Sequence, residues 1–95
     1  MPEKKAARVI ISGRVQGVCF RMETEREAQR NGVNGWVRNK RDGTVEAVFE
    51  GDAGDVDAII KWCETGAPMS SVAGVAVSVV PYTGEYTDFS IRYTV

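Results

Sequence analysis

Residues Gly13–Arg21 read GRVQGVCFR, and the parsing of this stretch decides the fold. It holds two glycines, a glutamine and two arginines, too much glycine for a strand interior and too apolar an end for a flexible linker. The residues before it, AARVIISG, are rich in β-branched side chains and alternate weakly, which predicts a first strand over about 7–13 that Gly13 ends. The residues after it, RMETEREAQRNG, are good helix formers up to Gly32, which predicts a helix over about 21–31. Gly32 suits the left-handed position after a helix, with Val33 folding back onto Ala28. The quoted stretch is therefore a strand-to-helix loop.

Outward from it, GWVRN predicts a second strand at 35–39 and TVEAVFEG a third near 44–50. Asp42-Gly43 between them is a hairpin turn signal. Val45, Ala47 and Phe49 share one strand face, Glu46, Val48 and Glu50 the other. Asp52 then reads as a helix cap, with Asp55 three residues on as in a capping box. Val56, Ile59, Ile60 and Cys63 form a buried helical stripe, and Gly66 and Pro68 end that helix. VAGVAVSVVP predicts a fourth strand over about 74–80, apolar at both alternating positions and so an aggregation hazard at a sheet edge. DFSIRYT predicts a fifth, with Phe89, Ile91 and Tyr93 on one face. The order βαββαβ plus a closing strand predicts an α+β, ferredoxin-like sandwich, two helices covering one face of a mainly antiparallel sheet.

Ninety-five residues make one domain, 1–95, with residues 1–6 read as a flexible N-terminal tail. No apolar run approaches the roughly 20 residues that span a bilayer, and the N-terminus lacks the apolar region of about 7–15 residues of a secretory signal. The expected setting is the cytoplasm, with no membrane partner, as a monomer. Residues 1–43 carry ten Lys or Arg against five Asp or Glu, and residues 44–95 two against eight, so a net charge of −1 hides a basic half containing the loop. Strands one and three lack the exposed aromatics of RNA-binding sheets, so no nucleic-acid partner is expected.

The chain contains no histidine, which removes Ser-His-Asp and Cys-His nucleophiles and His-ligated zinc. Cys19 and Cys63 are too far apart for a Cys-x-x-Cys site and are read as free thiols, a disulfide being the alternative. No cofactor and no metal ion is expected. What remains is the loop. Glycines let backbone N–H groups converge, a helix N-terminus adds unpaired donors, and Arg21 adds a planar two-pronged cation. Together they can hold a phosphate-sized anion. The same residues also fit an ordinary glycine-rich turn with a solvated arginine, and Asn39 fits ordinary hairpin chemistry. The fold supplies one more hint. In a split β-α-β unit the ends of strands one and two meet at one sheet edge, bringing residues 13–21 near Asn39.

GRVQGVCFR followed by GWVRNKRDGTVEAVFEG resembles the two signatures of the acylphosphatase family, in order and spacing, with a close match over residues 8–51. The resemblance implies hydrolysis of a small-molecule acyl phosphate to a carboxylate and inorganic phosphate. It implies that Arg21 binds the phosphoryl group and that Asn39 positions the attacking water. The loop backbone of Arg14, Val15, Gln16, Gly17, Val18, Cys19 and Phe20 would supply the N–H cradle. Cys19 and Met22 stand where the family varies, which bears on substrate preference.

Overall fold

Val45, Ala47 and Phe49 are fully buried, as the alternation predicts, and they lie in the middle strand of the molecule. The computed structural model describes residues 3–95. Its elements are β1 (Lys4–Arg14), α1 (Phe20–Asn31), β2 (Asn34–Asn39), β3 (Val45–Asp52), α2 (Ala53–Thr65), β4 (Ser71–Val80) and β5 (Phe89–Ile91). The sheet order is β4-β1-β3-β2-β5, antiparallel throughout except for the parallel β2–β5 pair. Two helices lie on one face of this five-stranded sheet, the ferredoxin-like arrangement.

The core lies between sheet and helices. β1 contributes Ala7, Val9 and Ile11, β3 Val45, Ala47 and Phe49, and the helices Phe20, Ala28, Val56, Ile59 and Cys63. Phe20 leans on Trp62 at 5.7 Å between ring centroids, which joins the two helices. Burial pushes the Cys63 thiol up to about 12, with the neighbouring Glu64 charge adding to the shift. The C-terminus of α1 closes as expected: Val33 N–H donates to Ala28 O at 2.8 Å and Gly32 N–H to Gln29 O at 3.3 Å. At the hairpin, Asp42 Oδ1 accepts from the backbone N–H and the hydroxyl of Thr44, at 3.0 and 2.6 Å.

The opposite sheet face carries paired charges. Glu46, 3% exposed, accepts from Arg8 Nε at 2.6 Å and from Arg38 Nε at 2.7 Å. Burial pushes its carboxyl up, but the hydrogen bonds and charges of the two guanidinium groups prevail and hold it below its ordinary value. Glu50 accepts from Thr83 N, Thr83 Oγ1 and Gly84 N, which pulls the β4–β5 connection over this face.

Four expectations change. β1 begins at Lys4, so of the expected tail 1–6, Met1 and Pro2 lie outside the described residues while Lys4, Lys5 and Ala6 pair with Asp52, Gly51 and Glu50. Pairing the full length of β3 buries Ala6, which outweighs leaving that segment in water. This pairing also diverts the α2 cap. Asp52 makes no side-chain cap bond; its carboxylate takes Lys4 Nζ at 2.6 Å, and Ala53 N–H donates to Glu3 O at 2.8 Å. Of the expected apolar face of β5 only Phe89 is core; Ile91 is 40% and Tyr93 94% exposed, because β5 is an edge strand whose regular pairing ends at Ile91. β4 is an edge strand that leaves Val79 73% exposed, the placement in which such a sequence needs protection from edge pairing.

Gly13 does not end β1. It sits at a register shift against β4, between Ser12↔Gly74 and Gly13↔Val72, and the strand continues to Arg14. Its φ is +114°, and a Cβ there would stand 2.3 Å from Ser71 O and 2.6 Å from Ala73 N. Gly13→Ala combines a disfavoured φ with a forced backbone shift, so a loss of about 2–4 kcal/mol is expected. Denaturant unfolding measures it; a change under about 0.5 kcal/mol, the usual range for a surface substitution, would show that the bulge relaxes freely.

Candidate anion-binding site

A loop that must turn a strand into a helix has few ways to satisfy its own backbone. Here Val15 N–H donates to Gly13 O at 3.1 Å, and the next recorded donation is Glu23 N–H to Cys19 O at 3.1 Å. Among the described residues, the N–H groups from Gln16 to Met22 find no protein acceptor. Gly17, at φ +73° with open space around its α-carbon, allows the turn that exposes them. Cys19 is the N-cap of α1 and is left-handed at φ +60° without a side-chain cap bond, a conformation that costs a non-glycine residue about 1–2 kcal/mol. Strain in a run of unpaired donors marks a backbone shaped for something outside the protein.

The loop is held by Gln16. Its side chain turns to the hairpin, where Nε2 donates to Lys40 O at 2.7 Å and to Thr44 O at 2.8 Å. This bonds the loop to the end of the strand that bears Asn39. The helix start is held by Thr24, whose buried hydroxyl donates to Phe20 O at 2.8 Å.

A cavity of about 400 Å³ opens between loop and sheet, lined by Val15, Gly17, Cys19, Phe20, Arg21, Met22, Asn39 and Ile91. Arg21 and Asn39, distant in sequence, meet there. Asn39 Oδ1 is buried with no hydrogen-bond partner, alone in this among the described side-chain atoms. Arg21 pairs with no carboxylate among the described residues. Arg21, Asn39 and the loop residues Gly17, Cys19, Phe20 and Met22 with open N–H groups thus line the same space. It can hold a tetrahedral oxyanion and present a side-chain amide to a water beside it. No cluster of three or more His, Cys, Asp or Glu side chains able to hold a metal occurs among the described residues.

The seven loop residues marked by the sequence divide. Val15, Gly17, Cys19 and Phe20 line the cavity. Gln16 serves as the tether, and Arg14 and Val18 face a separate hollow with Pro68 and Met69. Arg14 is the last residue of β1 and Val15 has spent its N–H, so the run of open donors starts at Gln16. Ile91 was missed as a lining residue. The signal lay in the parallel register Val37↔Ile91, which no local pattern reveals.

The comparisons with known proteins bear on this geometry. A family model described as Acylphosphatase matches residues 7–91. An acylphosphatase of Rubrobacter xylanophilus is 52% identical over 90 residues, covering 95% of this chain and 82% of that protein. One of Pelotomaculum thermopropionicum is 49% identical over 87 residues, covering 92% of this chain and 95% of that protein. The crystal structure of acylphosphatase from Bacillus subtilis superposes with a TM-score of 0.90 at 35% identity, covering 94% of this chain and 99% of that one.

The two thiols should behave oppositely. Cys19 is exposed on the cavity wall and Cys63 is buried with its thiol held protonated. A disulfide-exchange reagent should modify Cys19 rapidly and Cys63 only on unfolding. Inorganic phosphate should slow the Cys19 reaction. Phosphate-independent labelling would place the anion elsewhere.

Proposed function

The chain belongs to the acylphosphatase family, and we propose that it works by holding the phosphoryl group on Arg21 and the loop N–H groups while Asn39 positions the attacking water. The reaction is hydrolysis of the carboxyl-phosphate bond of an acyl phosphate. The observation that carries the assignment is the convergence of Arg21, Asn39 and the loop residues with unpaired N–H groups on one cavity.

The chemistry suits a chain without histidine. The leaving group is a carboxylate whose conjugate acid has a pKa of about 4, so it departs without a general acid. Phosphoryl transfer consists mostly of positioning and charge stabilisation. Arg21 takes two phosphoryl oxygens on its planar fork and the loop N–H groups take the remaining charge, in a geometry set before substrate arrives. The Asn39 amide hydrogen-bonds the water, accepting at Oδ1 and donating from Nδ2, and aims its oxygen at phosphorus. The new P–O bond forms as the acyl C–O–P bond breaks on the phosphorus side. The water proton passes to a phosphate oxygen, giving carboxylate and inorganic phosphate.

The same reading has the enzyme act as a cytoplasmic monomer on small molecules, with no nucleic-acid partner. Two free thiols, one exposed, fit a reducing compartment. Among the described residues, no helix is long and apolar enough to cross a membrane.

Two substitutions separate the roles. Arg21→Gln should lower turnover about 10³-fold or more and abolish phosphate binding, the scale seen when an arginine stabilising phosphoryl transfer is lost. Asn39→Ala should lower turnover about 10²-fold yet leave phosphate binding nearly intact. Calorimetric phosphate titration of each variant beside an acyl phosphate assay decides; equal loss of phosphate affinity in both would make Asn39 an anion ligand. Excess EDTA should leave turnover unchanged, and a loss restored by magnesium would overturn a mechanism built on protein donors alone.

A further inference from the structure

A second cavity, of about 710 Å³, adjoins the first, lined by Arg21, Arg38, Ile91, Arg92, Tyr93, Thr94 and Val95. The two share Arg21 and Ile91. We propose that this second cavity receives the acyl group of the substrate, and that Arg92 selects acyl groups carrying a distal anion, such as the free carboxylate of a dicarboxylic acid monoacyl phosphate. The proposal rests on the reading that the phosphoryl group sits at Arg21.

The wall is built from the segment that follows β5. Arg92 N–H donates to Val37 O at 2.9 Å, and Val95 N–H to Asn39 O at 3.2 Å. The segment therefore runs alongside β2 to the residue that faces the phosphate. On that side the cavity is lined by the exposed apolar side chains of Ile91, Tyr93 and Val95. Exposed apolar side chains beside a catalytic cavity offer contact area to a ligand.

Charge then sets the preference. Three guanidinium groups line the cavity, and two are committed. Arg38 gives Nε and Nη2 to Glu46, each at 2.7 Å, and Arg21 is assigned to the phosphoryl group. Arg92 pairs with no carboxylate among the described residues. Its guanidinium carbon lies 4.9 Å from the Trp36 ring centroid and 5.9 Å from that of Tyr86. An aromatic ring beside a guanidinium attracts its charge and leaves N–H donors free for a planar carboxylate. An unpaired fork next to an apolar wall is complementary to an apolar acyl group with a charged end.

Benzoyl phosphate and 4-carboxybenzoyl phosphate test this, since both are rigid and differ only in the distal carboxylate. The parent enzyme should prefer the carboxylated substrate in kcat/KM by about tenfold, the factor that one added charge pair of modest strength gives. Arg92→Gln should collapse that ratio to about one, and Arg92→Lys should retain part of it. Arg92 also covers Trp36, so a second measurement guards against a misfolded variant. With Arg92 intact and Trp62→Phe making Trp36 the sole indole, terephthalate added to phosphate-saturated protein should shift Trp36 emission, and benzoate should not. A parent enzyme without preference, an Arg92→Gln variant that keeps the ratio, or an unresponsive Trp36 overturns the proposal. Arg21→Gln separates the two levels. If that variant still binds phosphate, the phosphoryl assignment fails; if it loses phosphate while the ratio ignores Arg92, only the acyl subsite fails.

Discussion

Everything at the site depends on one register. Val45 in β3 pairs with Ile11 of β1 on one side and Asn39 of β2 on the other. Ile11 and Asn39 are therefore level, two strand spacings apart, about 9–10 Å, and β1 runs on past that level to Arg14. β1 leads directly into the loop and α1, so the helix N-terminus opens over the end of β2. Asn39 shares strand parity with Val37, which is buried against the helix layer, so its side chain turns toward the loop. A slip of one residue would turn Asn39 to the other face and send Val37 into water. The burial of Val37, Val45 and Ile11 thus fixes where the amide stands, and the Gln16 bonds to Lys40 O and Thr44 O close the remaining gap.

The charges follow a matching division. Lys4, Lys5, Arg8, Arg26, Arg30 and Arg38 are held in ion pairs away from the loop cavity or across the sheet. Among the described residues, Arg14, Arg21, Lys40, Arg41, Lys61 and Arg92 are left without carboxylate partners. All but Lys61, which lies on α2, sit at one end of the sheet, at the end of β1, the start of α1, the hairpin and the closing segment. A chain of net charge −1 therefore presents a positive rim where an anion must arrive, which raises its encounter rate without general attraction to polyanions.

Local patterns carried most of the fold. The alternation of Val45, Ala47 and Phe49, the stripe of Val56, Ile59 and Cys63, and the Gly32–Val33 cap are each set by residues close in sequence. The misreadings share a cause. Asp52 looked like a cap, but the distant Lys4 took its carboxylate; Gly13 looked like a strand end, but β4 paired past it through a bulge. Each is a competition between a local signal and a partner some 40 or more positions away, which a local reading cannot weigh.

The sequence by itself determined the element order, the core stripes, the absence of histidine chemistry and, through two long motifs, the family and its reaction. Those follow from side-chain type and short spacing. Only the tertiary structure decided which loop donors stay open, that Asn39 holds a buried acceptor without a partner, and that Gln16 ties loop to hairpin. It also decided that of the two arginines over the Trp36 ring, Arg38 is neutralised by Glu46 while Arg92 has no counter-charge among the described residues. Both are arginines near the end of a strand. What separates them is which neighbour the sheet register brings within hydrogen-bond reach.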